Sequence, residues 1–211
     1  MMKNFISVFI CTLNRFSTQP TVVNLRFLLC LFGLLVIKTS VLAIPSDYKN
    51  KSLTEFYPVP PQNDRSLFYI QRSKNTNAIV YETNILPSGK INTEEPLKIY
   101  WMQYASDSSV AELNYVQKRY AYGIRATPVK GHPGEFVLNF VSYEKKKFYL
   151  ILDPGGKQYK TYTTINGKMA ELKKIFIHLE GGSFWFPNIV DIEITGKDPA
   201  TLQKITEHFK P

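Results

Sequence analysis

From residue 66 onward, short runs of alternating apolar and polar residues are each closed by turn-forming residues, a pattern that points to antiparallel β structure. Runs 67–72 and 78–84 flank Ser73-Lys-Asn-Thr-Asn77, a hairpin loop by composition. Pro87-Ser88-Gly89 turns the chain toward 97–104, where Leu97, Ile99 and Trp101 share one face and Lys98, Tyr100 and Tyr104 the other. Runs 136–143 and 147–152 are joined by Glu144-Lys-Lys146, and Asp153-Pro-Gly-Gly156 leads into 159–165. Asn166-Gly167 is a two-residue turn signal. Runs 175–180 and 189–194 make the last long pair, and a shorter strand is expected near 203–209.

One segment departs from this rhythm. Between Asp107 and Gly123, apolar Val110, Leu113, Val116, Tyr120 and Ala121 recur at three- and four-residue steps, with Glu112, Asn114, Lys118 and Arg119 opposite. Ser109 and Glu112 have capping-box spacing and Gly123 is a stop, so the spacing predicts one amphipathic helix. The expected fold class is mainly β (β-rich α+β): a bent antiparallel sheet or barrel of about eight strands, with one amphipathic helix covering a face or plugging a mouth.

The first 43 residues have a different chemistry. All 17 acidic residues lie beyond residue 46, whereas 1–43 carries only Lys3, Arg15, Arg26 and Lys38. Arg26 precedes eleven apolar residues, 27–37, and Val41 and Ala43 stand at the −3 and −1 positions of a cleavage site after Ala43. A helix of that length is about 16 Å long, too short for a hydrocarbon layer of about 30 Å. Residues 1–43 therefore read as a secretory signal peptide, and no stable transmembrane span is expected after its removal. Both cysteines, Cys11 and Cys30, would leave with it, so disulfides and thiol catalysis are not expected. Removing four of the 26 Lys and Arg residues and none of the acids lowers the net charge from +9 to +5, a weak basis for nucleic-acid binding. Residues 44–65, with Pro58-Val-Pro-Pro61, read as a Pro-rich linker, Phe56 and Tyr57 alternatively packing along the domain surface. The single domain is expected at 66–211.

Chemistry-bearing motifs are sparse. Gly182-Ser-Phe-Trp-Phe186 lacks the nucleophile elbow, Asp153-Pro-Gly-Gly-Lys157 lacks the context of a phosphate-binding loop, and no paired histidines suggest a metal. No cofactor is expected. Alternation places His178 and Glu180 on one face of their run and Asp191 and Glu193 on one face of the next. If the two pair, His178 faces Asp191 with Glu180 nearby, a candidate catalytic set; cross-strand ion pairing on a solvated face is the alternative. The 21 aromatic residues of 66–211 either fill a core and its rim or line a ligand cavity. For the second case the candidate ligand-binding residues are Arg72, Tyr100, Trp101, Tyr122, Arg125 and Trp185. Arg72 shares a face with Phe68 and Ile70, where a guanidinium can hold a carboxylate or phosphate or simply snorkel to water.

Leu67-Phe-Tyr-Ile-Gln-Arg72, Tyr100-Trp101, Tyr120-Ala-Tyr-Gly123, Glu180-Gly-Gly-Ser-Phe-Trp185 and Ile192-Glu-Ile-Thr-Gly196 together resemble a bacterial family known as domain of unknown function 4833. The resemblance covers roughly residues 66–210. It implies a β-rich domain of exported Gram-negative proteins in a periplasmic or envelope setting, and supplies no activity or site residue.

The leading expectation is a periplasmic or envelope-associated module that binds a small apolar or amphiphilic ligand, or an envelope protein, at an aromatic-lined site. The rivals are a hydrolase using His178 with Asp191 or Glu180, and an accessory protein that pairs through a sheet edge.

Overall fold

A computed structural model describes residues 56–104, 107–182 and 187–211. The proposed signal segment, the first part of 44–65 and Trp185 lie outside the described residues. Eleven strands and one helix follow in chain order: β1 (Ser66–Arg72), β2 (Asn75–Thr83), β3 (Leu97–Gln103), β4 (Ser109–Glu112), α1 (Tyr115–Tyr120), β5 (Ile124–Pro128), β6 (Phe136–Phe140), β7 (Phe148–Leu152), β8 (Tyr159–Ile165), β9 (Lys168–Gly182), β10 (Pro187–Lys197) and β11 (Lys204–Phe209).

Nine of the strands run β4-β3-β2-β1-β9-β8-β7-β6-β5 in a curled, mixed sheet that forms a half-barrel, and β10 and β11 extend from β9. The two ends of this path, β4 and β5, are consecutive in the chain and joined through α1. Laid flat at about 4.8 Å per strand, the nine would place their outer members about 38 Å apart. A link with six residues helical and the rest fully extended reaches only about 30 Å. The connection therefore demands curvature.

Alternation is met on the concave side, where Phe68, Ile70, Ile79, Tyr81, Phe136, Leu138, Phe140, Phe148 and Leu150 are buried. Phe68 stacks on Tyr81 at 4.4 Å, and Phe140 meets Phe148 edge-on at 5.2 Å. Burying each such ring contributes about 1.5–3 kcal/mol.

The turning point of the sheet is a bulge in β9. Thr195 lies opposite Lys174 but Gly196 opposite Leu172, so Lys173 is an extra residue. Before it, Ala170 and Leu172 face inward and Glu171 pairs antiparallel with Tyr162 of β8. After it the inward phase passes to Ile175, Ile177 and Leu179, and Lys174 pairs with Tyr69 of β1 in a parallel ladder. Gly196 is required opposite the bulge: a Cβ there would lie 2.6 Å from the Glu171 carbonyl oxygen and 2.7 Å from Ile165.

The helix is shorter than its spacing predicts. Asn114 caps it, its side chain accepting from Gln117 N–H at 2.9 Å while Gln117 Oε1 accepts from Asn114 N–H at 3.0 Å. Ser109 and Glu112, the expected capping pair, instead belong to β4 and pair with Gln103 and Tyr100. Leu113 is buried while Val110 is exposed, so the segment follows period two, and pairing with the open edge of β3 overrides the helix propensity of Ala111 and Glu112. Gly123 does stop the helix, because a Cβ there would sit 1.8 Å from the Lys118 carbonyl oxygen. Strand β5 was not expected: it ends in Pro128, and only Ile124 and Ala126 pack against the core.

Residues 56–65 pack over the convex face of β1 and β2. Tyr57 meets Phe176 edge-on at 4.8 Å, Gln71 Nε2 donates to the Pro58 carbonyl at 2.6 Å, and Asn63 Nδ2 donates to Glu82 at 2.7 Å. Phe56 is exposed. Among the described residues no helix is long and apolar enough to cross a membrane.

Candidate functional site

Inside the curl lies a partly enclosed cavity of about 360 Å³. Its walls are Ile70 of β1, Ile175, Ile177 and Leu179 of β9, Ile189, Ile192 and Ile194 of β10, and Phe140 and Phe148 of β6 and β7. The bulge in β9 creates this wall, since without its extra residue Ile175 and Ile177 would point outward. Helix α1 and the residues after it line the remaining side through Val116, Gln117, Tyr120, Ala121 and Tyr122.

Three hydrogen bonds hold that arch in place. Trp101 Nε1 donates to Gln117 Oε1 at 3.2 Å, the Tyr81 hydroxyl donates to the Tyr122 carbonyl at 2.8 Å, and the Ser142 hydroxyl donates to the Ala121 carbonyl at 2.7 Å. The Trp101 and Tyr122 rings meet edge-on at 5.7 Å. Burial pushes both the Tyr81 and Tyr122 hydroxyls above the ordinary phenol range, so both are neutral donors and acceptors at neutral pH.

The cavity's lining residues include two cations and no carboxylate. Lys146 is already engaged: its Nζ lies 2.9 Å from Glu207 and 5.3 Å from the centre of the Phe209 ring. Arg72 lies beside the Tyr122 hydroxyl, where its positive charge opposes the upward effect of burial on that phenol. No ion pair joins Arg72 to a carboxylate among the described residues. Beside it a second hollow of about 310 Å³ is bordered by Arg72, Ser73, Lys74, Asn75, Leu179, Gly181, Gly182 and Pro187.

Of the residues singled out as ligand-binding, Arg72, Trp101 and Tyr122 come together on the cavity. Tyr100 points to the convex face, where its hydroxyl donates to Glu82 at 2.9 Å; burial, then that carboxylate, raises its pKa. Arg125 is exposed and paired with Glu144. Trp185 lies outside the described residues.

For the catalytic set, β9 and β10 do pair with His178 opposite Asp191. The Asp191 carboxylate, however, lies 2.7 Å from Nδ1 of His208, whose Nε2 is 3.6 Å from Glu193. The His178 ring rests on Phe176 with centroids 4.6 Å apart. His208 is thus the histidine between carboxylates, on the exposed face and absent from the cavity lining. Sequence reasoning missed it because alternation in 203–209 does not say which strand edge β11 joins. Gln117, Lys146 and Phe209 also escaped notice; their positions depend on the arch and on β11. Among the described residues no three His, Cys, Asp or Glu side chains converge as a metal-ligand set.

The family model for Domain of unknown function (DUF4833) matches residues 68–208, which takes in every strand from β2 to β10 whole, with most of β1 and β11. No curated protein and no solved structure matches the chain.

Proposed function

The chain belongs to the DUF4833 family, and from its own cavity we propose that it is an exported binding module of the cell envelope that takes up a small apolar or amphiphilic ligand. The observation that carries this reading is the cavity of about 360 Å³ walled by isoleucines, Leu179, Phe140 and Phe148. Protein interiors rarely keep voids larger than a water molecule, and small-molecule sites occupy about 300–1,000 Å³ with mostly apolar walls and a few placed polar groups. Export rests on the basic, acid-free, apolar character of residues 1–43.

The test uses N-phenyl-1-naphthylamine, a neutral apolar fluorophore, on protein expressed from the full sequence and purified as the cell delivers it. Saturable one-to-one enhancement is expected, and Ile177→Trp, which puts a large ring into the cavity, should weaken it at least about tenfold while the protein stays folded. Absence of saturable binding would reject the reading. Export is checked by the intact mass of protein from the periplasmic fraction, expected to begin at Ile44; full-length protein confined to the cytoplasm would contradict it.

The hydrolase reading has less to support it. The carboxylates gather around His208 on an exposed face, and none of the three residues lines either hollow described above.

A further inference from the structure

The two hollows meet at Arg72, and the chemistry differs on either side of it. Toward the half-barrel the walls are aliphatic and aromatic. Toward the β1–β2 turn they are formed by Ser73, Lys74, Asn75, Gly181 and Gly182. Arg72, Leu179 and Pro187 border both. Among the described residues no carboxylate lines either hollow. The turn that presents this group is fixed: the Ser73 N–H donates to the Ile177 carbonyl at 3.0 Å, and its hydroxyl accepts from Leu179 N–H at 2.7 Å.

A guanidinium is always charged and has five N–H donors in a planar fork. Here it is half-buried at the end of an apolar wall beside the Tyr122 hydroxyl, with no carboxylate partner among the described residues. The other cation on the cavity differs in this respect, because Lys146 has Glu207 beside it. A ligand with an apolar body alone would leave the Arg72 donors facing its end. One that ends in an anion would place its chain among Ile175, Ile177, Ile192 and Ile194 and its charge on the guanidinium fork.

Resting on the binding reading above, we infer that the ligand is an anionic amphiphile: a single apolar chain ending in a carboxylate or phosphate held by Arg72 at the junction of the two hollows. Charge-assisted, bidentate hydrogen bonds of this kind are the strong ones, and Arg suits planar or tetrahedral oxyanions better than Lys does.

Dodecanoate, dodecyl phosphate, dodecanol and inorganic phosphate, each measured by displacement of the neutral fluorophore and by calorimetry, separate the possibilities. Dodecanoate and dodecyl phosphate are expected to bind at least about tenfold more tightly than dodecanol, the worth of one charged hydrogen bond. Arg72→Gln should bring acid and alcohol to the same affinity, and Arg72→Lys should restore part of the difference. Equal binding of acid and alcohol by the unaltered protein, or a preference that survives Arg72→Gln in a folded variant, would overturn the assignment and leave the binding reading standing. Inorganic phosphate binding as tightly as dodecyl phosphate would overturn it too, since the apolar chain would then add nothing. Failure of every chain-bearing probe, fluorophore included, removes both.

Discussion

Asp191 shares its charge with His208 of the neighbouring strand, at 2.7 Å, and not with His178, the residue directly opposite it in the β9–β10 ladder. The edge strand β11 thus carries the histidine that completes a cross-strand cluster with Asp191 and Glu193, and the cluster ties the last strand to the sheet.

That cluster sets a pH dependence. The hydrogen bond to Asp191, aided by the charges of Asp191 and Glu193, raises the His208 pKa above its ordinary 6.5. A group whose folded pKa is raised contributes stability that is full below the unfolded value and is lost as pH rises through the folded one. Amide exchange in residues 204–209 should therefore accelerate as pH rises through the His208 midpoint, after correction for the intrinsic rate, and Asp191→Asn should lower that midpoint. An NMR titration of His208 at or below the ordinary histidine value would refute this.

Glu207 works on the acid side. Burial alone would raise its pKa, but hydrogen bonds from Lys146 and the Asn166 N–H, together with the Lys146 charge, bring it below the ordinary 4.5. Its contribution is full above 4.5 and is lost as pH falls through the lower folded value. Glu207→Gln should cost about 1 kcal/mol at neutral pH and flatten the stability profile as pH falls below 4.5, as followed by urea melts.

The arch over the cavity depends on one phenol. Tyr81→Phe removes the donor to the Tyr122 carbonyl and leaves that oxygen without its buried partner. A loss of about 1–2 kcal/mol is expected in denaturant melts, with little change in the ring stacking against Phe68. A neutral result would mean that the arch is held by its packing alone.

Gly123 and Gly155 offer a matched pair. Gly123→Ala forces a Cβ onto the backbone oxygen of Lys118, which cannot swing aside, and should cost about 2 kcal/mol or more. Gly155→Ala meets nothing within 4 Å and should stay within about 0.5 kcal/mol of the parent. Equal melting of the two variants would show that the end of α1 relaxes freely.

Strand identity was legible where alternation was long. The hairpin of 175–180 with 189–194, the Asn166-Gly167 turn, with Ile165 opposite Lys168, and the interior placement of Phe68, Ile70 and Arg72 all follow from period two. Pairing partners were less legible. A parallel strand and an antiparallel one share the same period, so the Tyr69–Lys174 ladder leaves no mark in the sequence. The bulge at Lys173 is a local excess of one residue that only the Gly196 backbone reveals. Val110 to Tyr120 shows how an apolar residue at a helical step can belong to an edge strand when a neighbour's free backbone is within reach. For the site, Arg72, Trp101 and Tyr122 could be chosen from residue type and face. Lys146, Phe209 and His208 could not, because their places depend on β11.

The parallel pairing of β1 with β9 also orders events in time. Strands β1 to β4 and β5 to β8 are neighbours in sequence and can zip locally, each set leaving an open trough. The wall that turns those troughs into a cavity is supplied by β9, which follows β1 by roughly a hundred residues and pairs with it only after that long loop has closed, and by β10, which pairs with β9. A chain that emerges N-terminus first therefore has no cavity until nearly all of it is out. A ligand of the proposed kind would stabilise the finished protein alone, so its binding would act on this fold as a seal on its last step.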